Sequence, residues 1–373
     1  MSLWNACSGK VAFGKCETRY EEFDNMNRLI TVLCTVLALC SCADRYPDVV
    51  HVNGGKFHVQ GIALDKEDKS MYFSFTSAFY KTDLEGNITG SITGINGHLG
   101  AVTFNRKTRK VYASLEMKND EIGRDIADGL GAARHNDSMS RFYIAEIAVD
   151  SVDGRDVPFD RAVTLHPVNE AAKDYLAEVE VDGKVLKHRY GCSGVDGITL
   201  GPGFGSYSKE NSYLYLAYGV YGDTLRCDND YNILLCYDLE DLSTPRNKYF
   251  IYTGNTRYGV QNLAYDPYTE CMYMAVYKGR KPQFENYRLF AVDMNQKPYR
   301  GLLKDVPYHR DEVEMVDVCG GWHFKWGSTG LCPLGDGRYY ISINSKTDEG
   351  QICDAVLHIS SDDPGAPFVR ISE

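Results

Sequence analysis

The sequence lacks most of the signatures that name an activity. No Gly-x-Ser-x-Gly elbow is present, and Cys192-Ser193 comes with no recognisable base, so the usual serine or cysteine nucleophile frames are excluded. No Cys-x-x-Cys pair occurs, which removes a thiolate zinc site. Gly201-Pro202-Gly203-Phe204-Gly205 follows a strand pattern with no helix after it, so it is not a phosphate-binding loop. Positive charge is also scarce. Lys and Arg total 40 against 51 Asp and Glu, a net charge of -11, which argues against a nucleic-acid groove or a polyanion held by bulk charge.

Long apolar runs are missing too. The run from Leu29 to Leu39 is too short to span a bilayer as a helix. It follows Asn27-Arg28 and leads into Leu39-Cys40-Ser41-Cys42, the pattern of an export signal. Those last four residues resemble the lipobox of bacterial lipoproteins, and the resemblance implies that Cys42 carries a lipid anchor. Residues 26-41 then read as a signal peptide, 1-25 as an upstream extension or tag, 42-47 as a linker and 48-373 as one domain. The resemblance also implies a place in the bacterial cell envelope, periplasmic or surface-exposed, with the membrane touched through the Cys42 lipid only. Seven cysteines follow Cys42, an odd number that leaves room for one or two disulfides of open connectivity.

What is present is a repeat. Five Gly-containing openings recur: His58 to Leu64, His98 to Phe104, Gly194 to Leu200, Gly259 to Tyr265 and Gly327 to Pro333. A tyrosine-rich strand answers each about ten residues later, as in Met71-Tyr72-Phe73-Ser74, Val111-Tyr112-Ala113-Ser114 and Tyr339-Tyr340-Ile341-Ser342. Third strands follow in phase, for example Phe79 to Asp83 and Leu234 to Asp238, and outer strands such as Ile88 to Ile92 close the units. Such a meander cannot bury both faces alone, whereas five arranged radially can. The expected fold is therefore all-β: a five-bladed β-propeller of four-stranded antiparallel blades around a central pore. Two segments compete to close the ring, Asp48 to Val52 and Phe368 to Ser372. Asn169 to Leu176 reads as a short helix capped by Asn169.

In a meander propeller the second-to-third and fourth-to-first connections share the face where inner strands begin. The long segments assigned to that face are 118-140, 165-192, 218-232, 278-287 and 306-326, while the other face has short turns such as Asp65 to Lys69. The same face should gather His58, Gln60, His98, Glu116, Asp196, Gln261, Asn262, Lys278 and Asn344 near the axis. Aromatic residues on its loops, Tyr221, Tyr287, Tyr308, Trp322, His323 and Trp326, either form a stacking platform or pack the loops onto the rim.

Asp196-Gly197-Ile198, Gln261-Asn262-Leu263 and Gln60-Gly61-Ile62 resemble inner-strand openings of SMP-30/gluconolactonase and strictosidine-synthase-like propellers. The resemblance implies a pore metal with Asp196 as acidic ligand and Gln261 as amide ligand, and puts Gln60 where that family has a glutamate. The blade count is similar to that of calcium-dependent apyrases, in which a pore glutamate stands roughly where Glu116 does here. Glu116, Asp196 and Gln261 are thus the expected metal ligands, and Ca²⁺ is the ion that such hard oxygens suit. Two functions stay open. One is binding of a small molecule, glycan or protein at the pore mouth, with His58, Gln60, Asn262, Lys278, Trp322 and His323 as contacts. The other is a calcium-dependent hydrolase of the lactonase, esterase or nucleotidase type, with His98 or Glu116 as base.

Overall fold

The structure is a computed structural model that describes residues 46-136, 141-348 and 350-371. The stretches read from the sequence as an upstream extension and a signal peptide, and Cys42 with them, lie outside the described residues. Five antiparallel sheets make the five blades of a β-propeller. From inside outward, blade I is Val59–Asp65, Ser70–Phe75, Ala78–Thr82 and Ile88–Ile92. Blade II is His98–Asn105, Lys110–Met117, Arg141–Ala148 and Val163–Pro167. Blade III is Cys192–Gly201, Tyr213–Val220, Tyr231–Asp238 and Asn247–Tyr252. Blade IV is Arg257–Asp266, Cys271–Tyr277, Leu289–Asp293 and Gly320–Trp322. Blade V is Leu331–Pro333, Arg338–Thr347 and Gly350–Ser360, with its outer edge supplied by the two ends of the domain.

Both candidates for ring closure are used. Val49–Gly55 pairs with residues 351-356 of the third strand of blade V, and Phe368–Arg370 pairs with residues 358-360 of the same strand. The two termini therefore divide one edge between them. Ring closure shows equally in the inner strands, since those of blades I and II, II and III, III and IV, IV and V, and V and I all touch.

The core lies in the seams between consecutive blades. Tyr72, Leu99, Val111 and Ala145 pack between I and II, and Phe142, Ile144, Ile198 and Leu216 between II and III. Burying a side chain such as Phe142 contributes about 1.5–3 kcal/mol. Inner strands crowd at the axis, as the glycine-rich openings require. A Cβ on Gly61 would stand 2.7 Å from the Val102 nitrogen, and one on Gly197 would stand 2.9 Å from the Val260 oxygen. The short turns share one device: Asp65, Asn105 and Asp266 each accept backbone N–H groups two and three residues on.

Among the described residues three α-helices interrupt the strands: α1 (Glu121–Leu130), α2 (Phe159–Ala162) and α3 (Asn169–Leu176). The span of α3 matches the sequence reading, but Asn169 is its first helical residue, and Val168 occupies the cap position without a side-chain bond. The segment 306-326 differs more. Because Gly320–Trp322 is the outer strand of blade IV, most of this segment joins third to fourth strand and leaves from the face opposite the mouth. Val313–Met315 within it pairs with the preceding Tyr299–Gly301 as a hairpin and adds in parallel to the outer strand of blade III. All seven described cysteines are free thiols, with Cys271 and Cys319 sulfurs 4.0 Å apart.

Candidate functional site

At the mouth of the pore lies a cavity of about 690 Å³. Its floor comes from the inner strands, which bring His58, Gln60, His98, Asp196 and Gln261 together with Glu116 and Lys278; with Tyr221 on a mouth loop, eight of the residues singled out in the sequence line one space. Asn262 sits apart from it and ties the ring: its Nδ2 donates to the Gln60 carbonyl at 2.7 Å and the Ser328 carbonyl at 3.1 Å, linking blade IV to blades I and V. Trp322 and His323 fall on and just after the outer strand of blade IV, where their rings approach Tyr273 and Tyr287 rather than the cavity. Asn344 is exposed and also lies outside the lining.

One wall of the cavity is α1, which the sequence reading left as a loop. Asp120 caps its first turn, accepting from the Gly123 N–H at 2.9 Å. Gly131, with φ of 65°, closes its last turn. Lys56 then donates to the Gly129 carbonyl at 2.6 Å, tying the C-terminal end of the helix to the approach of blade I. Ile122 and Ile126, one turn apart, line the cavity from this helix, joined by Phe57.

Beneath α1 sits a buried charge cluster built on Lys118. Its Nζ reaches Glu116 Oε2 at 2.8 Å, Asp120 Oδ2 at 3.1 Å and the Ser193 carbonyl at 2.7 Å. The other Glu116 oxygen accepts from the Val195 N–H at 2.7 Å, and the carboxylate lies over Gly194, where a side chain would displace it. This clamps blade II to blade III. Burial works against the Lys118 charge, but Glu116 and Asp120 outweigh it and raise the ammonium above its ordinary range. Burial lifts the Glu116 carboxyl despite Lys118 beside it. Burial, then the charge of Glu116, lifts Asp196 well above the usual carboxylate range. Gln261 Nε2 donates to Asp196 Oδ2 at 2.7 Å, and the Ala101 backbone N–H also faces this carboxylate.

The histidines are held neutral. Burial first, then the nearby charge of Lys118, pushes His98 down to about 3, and burial lowers His58. Gln60 Nε2 donates to Thr76 Oγ1 at 2.9 Å and lies 3.2 Å from His58 Nε2.

This donor set does not fit calcium. The place of a cation beside Glu116 is filled by the Lys118 ammonium, both Glu116 oxygens are engaged, and Gln261 turns its NH2 group toward Asp196. Calcium takes six to eight oxygens. Among the described residues no three His, Cys, Asp or Glu side chains gather as a metal set.

Blade IV supplies the opposite wall, with Arg257, Tyr258, Tyr277, Lys278, Arg280 and Arg288. Sequence reasoning named Lys278 alone of these. It also missed Lys118, although the alternation Ser114, Glu116, Lys118, Asp120 continues the phase of a strand whose pore side was already identified. The spacing from Asp120 to Gly131 around Ile122 and Ile126 was likewise a legible helix signal.

No family model matches the sequence, and no curated protein is similar to it. Among solved structures the chain is similar to a luciferin-regenerating enzyme over 86% of this chain and 79% of that one, at 10% identity and a TM-score of 0.40. It is similar to the Dos1 propeller over 84% of this chain and 68% of that one, at 10% identity and a TM-score of 0.34. Likeness at that distance bears on neither site nor activity.

Proposed function

We propose that this chain is a lipid-anchored, exported β-propeller that binds a small molecule in the cavity at its pore mouth. The observation that carries the reading is the cavity itself: about 690 Å³, walled by Phe57, Ile122 and Ile126 on one side and floored by convergent polar groups. At least one of those groups, His98 Nδ1, is buried with no partner among the described residues. Buried polar atoms are ordinarily satisfied, and a bound ligand would satisfy this one here. The concave shape favours a small molecule over a glycan chain or a protein surface.

The hydrolase reading draws less support. A general base works best with a pKa near the working pH, and His98 at about 3 is a weak proton acceptor. Glu116 is committed to Lys118 and the Val195 N–H. The binding reading is tested by thermal-shift screening of a chemically diverse metabolite set against the wild type and Ile126→Trp, which fills the cavity. Compounds that raise the melting temperature of the wild type alone support it; a screen without hits, or hits equal in both proteins, overturns it. Anchoring is tested separately, since Cys42→Ala should move the protein from the membrane fraction to the soluble one. Unchanged fractionation would remove the anchor.

A further inference from the structure

From the charges around the cavity we infer that its ligand is a small organic anion, with a carboxylate or phosphate group held against blade IV and an apolar body lying toward α1. The inference rests on the cavity being a binding site. Four cations line the blade IV wall: Arg257 at the start of the inner strand, Lys278 and Arg280 on the loop after the second strand, and Arg288 just before the third. None of the four lies within ion-pair distance of a carboxylate among the described residues. Among the described residues, the one polar contact that their side chains make is from Arg257 to the Tyr258 hydroxyl at 3.2 Å. Four like charges gathered on one wall of a protein with a net charge of -11 repel one another without internal compensation, and an anion between them removes that repulsion. Guanidinium forks match the planar oxygens of a carboxylate and the oxygens of a phosphate equally well.

The opposite wall sets the direction. Asp125 of α1 lines the cavity beside Ile122 and Ile126, so an acidic group is repelled there while an apolar one is accepted. Lys118 does not compete for the anion, because Glu116 and Asp120 already answer its charge. The polarity across the cavity thus runs from cationic at blade IV to apolar and acidic at α1, and it fits a ligand with one anionic end.

Isothermal titration with four probes of similar size tests this: phenyl phosphate, 3-phenylpropionate, benzyl alcohol and phenethylamine. The two anions should bind at least ten-fold more tightly than the alcohol or the amine, and the tighter of the two assigns phosphate or carboxylate. Equal or tighter binding of the alcohol or amine overturns the inference, as does failure of both anions to bind. The double variant K278E/R280E should lower anion affinity at least ten-fold and leave the alcohol unchanged, and Ile126→Trp should weaken all probes. Anion binding lost in Ile126→Trp but kept in K278E/R280E leaves the cavity standing and removes the anion assignment. Anion binding lost in K278E/R280E but kept in Ile126→Trp places the anion on the outer surface and removes the cavity reading itself.

Discussion

On the blade II and III side of the cavity the buried Lys118 charge is answered, shared between Glu116 and Asp120, with the other oxygen of Glu116 taken by a backbone N–H. On the blade IV side four cations stand in half-exposed or exposed positions and face no carboxylate among the described residues. Both walls carry cationic side chains, yet the first is part of how the propeller holds together and the second is free to meet something else. The difference follows from burial: a charge withdrawn from water has to be paired by the fold, whereas one at the rim is solvated until a ligand arrives.

The strongest way to break this contrast is Lys118→Met, which leaves Glu116 buried without its counter-charge. Denaturant unfolding should show a loss of about 3–5 kcal/mol. The double variant E116Q/K118M should be more stable than Lys118→Met alone, and the same loss in both would show that packing rather than charge is responsible.

The next effect is in acid. The folded pKa of His98, about 3, is below its unfolded value near 6.5, so the folded state binds fewer protons between the two. Stability is then lost as pH falls through that window, at a slope of up to about 1.4 kcal/mol per pH unit. Melting curves across that range should flatten in His98→Gln, and an unchanged slope would remove the assignment.

Asp196 should act with the opposite sign. Its folded pKa is raised, so the folded state binds more protons above the unfolded value, and stability falls as pH rises from about 4. Asp196→Asn should remove that fall, giving a protein at least as stable as the wild type at pH 7, with the relative gain gone at pH 3. Loss of stability at pH 7 would mean that the charged carboxylate is needed.

The smallest effect sharpens the contrast from the other side. Lys278→Ala and Arg280→Ala, each measured by denaturant unfolding, should change stability by less than about 0.5 kcal/mol, because no partner is stranded. A larger loss would place these residues in the scaffold.

Much of the fold was legible because each blade repeats the same local problem. A glycine where inner strands crowd, a tyrosine-rich second strand to fill the seam and an Asp or Asn to close the turn are all nearest-neighbour demands, visible in Gly61, Tyr72 and Asp65 of blade I and again in Gly197 and Tyr215 of blade III and Asp266 of blade IV. The outer strand of blade IV was not legible. Gly320-Gly321-Trp322 has no alternation of its own and becomes a strand only by pairing with Leu289, Phe290 and Ala291. Misplacing it moved Trp322 and His323 to the mouth in the sequence reading. At the site, His58, Gln60, His98, Glu116, Asp196, Gln261 and Lys278 were found because position on an inner or second strand predicts convergence on the axis. Lys118 was missed although Glu116 and Asp120 flank it two residues away, because its burial and the Ser193 carbonyl of blade III that completes its contacts come only with folding.

By itself, then, the sequence determined the repeat, the five blades, the oriented face and most of the polar residues that meet at the pore, because periodicity and turn chemistry act over a few residues at a time. Tertiary structure decided which charges are answered and which are left open. It also decided how the two ends share one strand edge and that α1 walls the cavity, since these depend on groups from distant parts of the chain arriving within a few ångströms of one another.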